Sequence, residues 1–166
     1  MTPGEEINAK LPVRLMLASG LMVGTLDGTA AIVDFLVSSH GDPRVVFRYI
    51  ASGILGFHAF SGGFPVALLG IAFHYVIAMS WTILFFITYP RFRLLRHHWL
   101  PTGVAYAMVI WIVMNFVIRP LSLVPHLPWT LFKVVKSYLI LAVVVGPPIT
   151  YTAKRGYADS SSVRIS

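Results

Sequence analysis

The sequence predicts an all-α integral membrane protein: a four-helix bundle with an additional short interfacial or re-entrant helix. Three observations carry this reading. Four apolar runs are each on the order of the 20 residues that cross hydrocarbon. Charged residues make up only 11% of the chain, against 57% hydrophobic ones. The cations collect near the ends of the runs, where positive charge orients helices in a membrane. A soluble domain is about 25% charged, so this chain, with a mean hydropathy of +0.77, has too few polar groups to face water. Its 166 residues read as one membrane domain, 1–166, because about 150 residues is the usual size of a domain.

The first span runs over about 15–37 and ends at Ser38-Ser39-His40-Gly41-Asp42-Pro43, a cluster of turn-formers. Residues 45–60 are apolar but short, and they contain Arg48, Ser52, Gly53, Gly56 and His58. They are expected to form a short helix that does not cross. Ser61-Gly62-Gly63 breaks it before the second span, about 65–88. A basic, aromatic loop follows, with Arg91, Arg93, Arg96, His97, His98 and Trp99. Pro101 opens the third span (101–118), since proline in a first turn loses no needed hydrogen bond, and Arg119-Pro120 stops it. Pro125, Pro128 and Trp129 make a rigid interfacial connection, with Trp99 and Trp129 as belt residues. The fourth span covers about 131–152, with Gly146-Pro147-Pro148 bending it. A polar tail begins at Lys154.

Charge placement orients the chain. With the N-terminus cytoplasmic, that side collects Lys10, Arg14, Arg91, Arg93, Arg96, Lys154, Arg155 and Arg164. The other side keeps Arg44, Arg48, Arg119, Lys133 and Lys136. Eight against five puts both termini inside. The net charge of +7 therefore points to membrane topology. No nucleic-acid partner is expected, because no basic stripe carries interleaved aromatics. The lipid bilayer is the expected surrounding. The absence of cysteine removes disulfides, thiolate metal sites and a cysteine nucleophile. A cleavable signal peptide is not expected, since the first run is too long and carries Asp27 and Asp34.

Few residues are placed for chemistry. Gly20, Gly24 and Gly28 recur every four residues in the first span, a row that lets another helix backbone approach closely. The partner helix belongs either to this chain or to a second copy. Asp27 and Asp34 lie seven residues apart on nearly one face, where each is costly unless it faces protein or water. They read as a proton or ion site with His74, or else as polar clamps between helices. Asp27 and His74 both sit near the middle of their spans, within reach of a mutual hydrogen bond. The alternative is a histidine satisfied by a backbone carbonyl. Arg119, with Asn115 one turn before it, reads as an ion pair with Asp34 or as an anion anchor. His58 and His74 differ in depth, so bis-imidazole haem is not expected. No metal, no cofactor and no catalytic residue is expected, because no nucleophile setting exists.

From Ile50 the chain resembles a family of small bacterial inner-membrane proteins, the YagU-like family. The likeness rests on Ile50-Ala51-Ser52-Gly53-Ile54-Leu55-Gly56, Phe60-Ser61-Gly62-Gly63, Gly70, His74, Met114-Asn115-Phe116-Val117 and Pro120-Leu121-Ser122. It covers about residues 44–123. The resemblance implies a bacterial inner-membrane location and four helices, and it implies no activity. Two functions follow from the residues themselves. One is a structural or accessory protein that packs with itself, as a homo-oligomer, or with a larger membrane complex through the glycine row. The other is a proton-coupled carrier or channel subunit using Asp27 and His74.

Overall fold

A computed structural model describes residues 11–92, 95–96, 98–125 and 130–162, with side chains to residue 158. Among the described residues every regular element is helical. They are α1 (Val13–Ser39), α2 (Arg44–Leu55), α3 (His58–Ser61), α4 (Phe64–Thr88), α5 (Trp99–Leu121), α6 (Leu131–Val144) and α7 (Gly146–Ser162). Four stretches are long and apolar enough to cross a membrane: α1, α4, α5 and the joined α6–α7 over Leu131–Ala158. In each, only 17–22% of the most apolar window is buried inside the protein. Side chains such as Leu21, Val37, Leu131 and Phe132 therefore point outward, toward a surrounding that must be as apolar as they are. The chain is a multi-pass membrane bundle.

Local chemistry sets the boundaries. α1 ends where His40 turns left-handed at φ 52° and gives its N–H to the Leu36 carbonyl. Asp42 holds the following turn, accepting from the Arg44 backbone N–H at 3.0 Å and from Arg44 Nε at 2.9 Å. This exposed pair keeps the Asp42 carboxyl below the usual carboxylate range. A carboxyl depressed in the folded state contributes stability above its unfolded value, about 4, and loses it as pH falls through the folded value. Amide protection at Arg44 is thus expected to drop on acidification below about pH 4. Asp42→Asn should remove that dependence; hydrogen exchange followed by mass spectrometry reads both.

The expected short helix over 45–60 is in fact two. Gly56, at φ 57°, sits in a backbone region that glycine alone enters cheaply, so α2 stops and α3 begins two residues later. The third span does not end at Arg119-Pro120. Its ladder widens to a π step over Met114–Ile118, where the Arg119 N–H reaches back to the Met114 carbonyl. One further turn then carries Pro120. Pro120 has no N–H to give, and a π step is a usual way to absorb such a gap. The predicted bend at Gly146-Pro147-Pro148 is present: α6 stops at Val144, and Val145 departs from helical φ at −108°. Pro147 and Pro148 cannot bond back to Val143 and Val144. The polar tail from Lys154 continues α7 to Ser162, with Tyr157 in the core.

α1 packs on α4 and α7, α5 packs on α6 and α7, and α2 lies against α4. Tight crossings rest on glycine. At Gly103 and Gly146 the backbones of α5 and α7 touch directly, and Gly70 admits the Phe47 carbonyl of α2 onto α4. The apolar core lies toward the α4 C-terminus, where Phe85 and Phe86 meet Met16, Ile149, Ala153 and Tyr157. Polar ties cross between helices there: Tyr157 donates to the Phe86 carbonyl at 2.6 Å, and Ser19 bonds Thr152 at 2.7 Å. In lipid such bonds supply adhesion that a hydrophobic driving force cannot.

Candidate functional site

Beyond this core the bundle opens into a cavity of about 550 Å³ between α1, α2, α4, α5 and the α6–α7 junction. Its walls are mostly apolar, with Phe73, Ile77, Ile110 and Met114 prominent. Six polar side chains also line it: Asp27, Tyr49, His74, Asn115, Arg119 and Ser122.

The glycine row explains how His74 arrives. Gly20 faces Met79, Gly24 faces Tyr75, and a side chain on Gly28 would stand 3.1 Å from His74 Nε2. The close partner is therefore α4 of the same chain. With no side chain in the way, His74 Nε2 reaches the Gly24 carbonyl at 2.7 Å. A carbonyl only accepts, so Nε2 carries the hydrogen, and Nδ1 is the acceptor of the neutral ring. The expected direct His74–Asp27 hydrogen bond is not formed, because the backbone has taken the ring. Asp27, partly buried, still lies within electrostatic reach of His74. Its flanking threonines turn back to the helix: Thr29 donates to the Thr25 carbonyl, and Thr25 to the Leu21 carbonyl, with the Tyr75 hydroxyl 2.9 Å from Thr25.

Asp34 does not join this group. It pairs with Lys136 of α6 at 2.5 Å, and Lys136 also donates to Ser38 at 3.2 Å. The expected Asp34–Arg119 ion pair is thus replaced. The two lie nearly in line but about 10 Å apart along α1, so Asp34 meets Lys136 of α6 while Asp27 lines the cavity. Arg119 instead hydrogen-bonds Tyr49 of α2. Burial holds the Tyr49 hydroxyl above the usual phenol range, with Arg119 pulling the other way, so it stays neutral. Asn115 donates to the Trp111 carbonyl at 2.9 Å, next to the π step. Trp111 donates its ring N–H to Ser137 at 2.9 Å, which ties α5 to α6.

No protein family, curated protein or solved structure matches the chain. The site must be read from its own geometry. The polar lining divides into two stations: Asp27 with His74, and Arg119 with Tyr49, Asn115 and Ser122. The first can hold and release a proton, through a carboxyl and an imidazole nitrogen. The second presents a guanidinium fork. His58 is exposed on α3 and does not line the cavity. Lys10, Arg93, His97, Pro128, Trp129 and Arg164 lie outside the described residues.

Sequence reasoning missed three participants. Tyr49 sits on a helix that does not cross, where nothing in the text marks its depth. Ser122 follows α5 as an ordinary turn residue. Lys136 had a readable signal: it lies in the second turn of its span, level with Asp34 in the last turns of α1.

Proposed function

We propose that the chain is a small carrier of the bacterial inner membrane, with both termini cytoplasmic, that holds a small solute within its bundle and couples its passage to proton exchange at Asp27 and His74. The cavity carries this reading. A bundle needed only for packing gains by filling its interior. This space is partly open to the surroundings and no side chain of the chain fills it, so an occupant can enter from outside, and its size is in the range of small-molecule sites. Two costly ionisable groups line that space, and intramembrane ionisable residues mark ion and proton pathways. The orientation rests on the cation placement, and the bacterial inner membrane is only what the resemblance read from the sequence implies.

The competing reading, a structural or accessory subunit packing through Gly20, Gly24 and Gly28, has lost the surface that recommended it. α4 already occupies that row.

The test is proton entry into pyranine-loaded liposomes under a potassium diffusion potential. Wild-type protein is expected to conduct above protein-free vesicles. Asp27→Asn should abolish the signal while leaving the thermal midpoint in detergent unchanged. No signal from wild type, together with a lowered midpoint or altered oligomer size in Asp27→Asn, would mean that Asp27 is a packing clamp.

A further inference from the structure

The arrangement of the polar lining narrows the class of molecule that the cavity takes. We infer that the occupant is a single-chain amphiphile with one acidic head, a carboxylate or a phosphate monoester, seated with its head at Arg119 and its tail among the apolar walls. This rests on the cavity being a binding site, as proposed above.

Four of the six polar lining residues belong to one station: Tyr49 from α2, Asn115 and Arg119 from α5, and Ser122 just after it. They converge because α2 is fastened over that end of the cavity. Gly70 lets its backbone touch α4, and the Leu123 N–H donates to the Gly53 carbonyl at 3.0 Å. A guanidinium presents five N–H donors in a planar fork, so it can serve Tyr49 and an acidic head together. Paired parallel bonds to carboxylate or phosphate are the geometry that suits it. An ammonium head would meet repulsion there. Phe73, Ile77, Ile110, Met114, Leu141 and Ile149 form the remaining wall, a lining for hydrocarbon. The lone interruption is Asp27 with His74, which offers no second guanidinium for another acid. One acidic head and one plain tail match this distribution of charge. The volume lies within the 300–1,000 Å³ usual for pockets that enclose small molecules.

The test uses the full chain in a non-ionic detergent, with native mass spectrometry counting adducts of lauric acid, dodecyl phosphate, dodecanol and dodecylamine. One acid per chain is expected, bound about tenfold or more tighter than dodecanol, the scale of one charge-assisted hydrogen bond. Dodecylamine should bind no better than the alcohol. The tighter of the two acids identifies the head as carboxylate or phosphate. Arg119→Gln should erase the preference for acid over alcohol while dodecanol still binds. Should Arg119→Gln fail to fold, Tyr49→Phe is expected to weaken the acids alone, by a few-fold. Equal binding of acid and alcohol by wild type overturns the inference, as does an Arg119→Gln effect that is the same for both. A proton signal that persists with no acid bound would leave the carrier reading standing and remove only this one.

Discussion

Phe85→Ala is expected to destabilise the bundle by about 3–5 kcal/mol, the usual cost of emptying a phenylalanine site in a close-packed interior. Phe85 is 0% exposed. Its ring centroid lies 4.7 Å from that of Tyr106 and 5.7 Å from that of Tyr89, so the ring joins α4 to α5 at the base of the cavity. In lipid the loss is mainly of dispersion contacts rather than of hydrophobic transfer, since tails outside are as apolar as the core. The neighbouring Leu84 is 47% exposed and faces outward, so Leu84→Ala should cost far less. Equilibrium unfolding in mixed micelles compares the two. Equal losses would mean that α4 is rotated differently about its axis.

Gly70→Ala should lower stability by about 1–3 kcal/mol, the range for overpacking, although alanine is the better helix former. A methyl at this position would overlap the Phe47 carbonyl oxygen and stand 2.6 Å from its carbon. Both are backbone atoms, so α2 must lift away from α4. Gly53→Ala has the opposite expected sign. The nearest atoms there, Val124 Cγ2 and Ser122 Cβ, stand 3.7 and 3.8 Å off, and an unstrained Gly→Ala change adds about 0.4–1 kcal/mol. Thermal midpoints of the two variants, measured side by side, read the sign directly. A stabilised Gly70→Ala protein would show that α2 does not rest on α4 as described. Because α2 carries Tyr49, Gly70→Ala should also cost acid-amphiphile binding.

How far the site could be read in advance varies with the residue. Asp27 and His74 stood out because each is expensive at mid-span, and both do line the cavity. The glycine row announced a close helix contact, and only its partner was open. Asp34 stood out equally, yet it belongs to a clamp with Lys136. The two aspartates differ by two turns of depth on one helix, which acquires meaning only once the neighbours are known. Arg119 was matched to the wrong group for the same reason: charge and approximate depth admit several partners. Tyr49 was invisible, because its role depends on α2 folding back over the bundle.

Span number, most span ends and the break at Gly146-Pro147-Pro148 followed from the sequence alone, whereas the break at Gly56 and the extra turn past Pro120 did not. Transfer into hydrocarbon, proline's missing N–H and glycine's backbone freedom are local terms that add along the chain. Which helix meets which, and hence that a cavity opens between them with Asp27 and Arg119 at separate stations, was decided only in three dimensions. Helix rotation and backbone approach are settled by contacts between residues far apart in sequence, and in an apolar surrounding no inside–outside pattern of hydropathy records them.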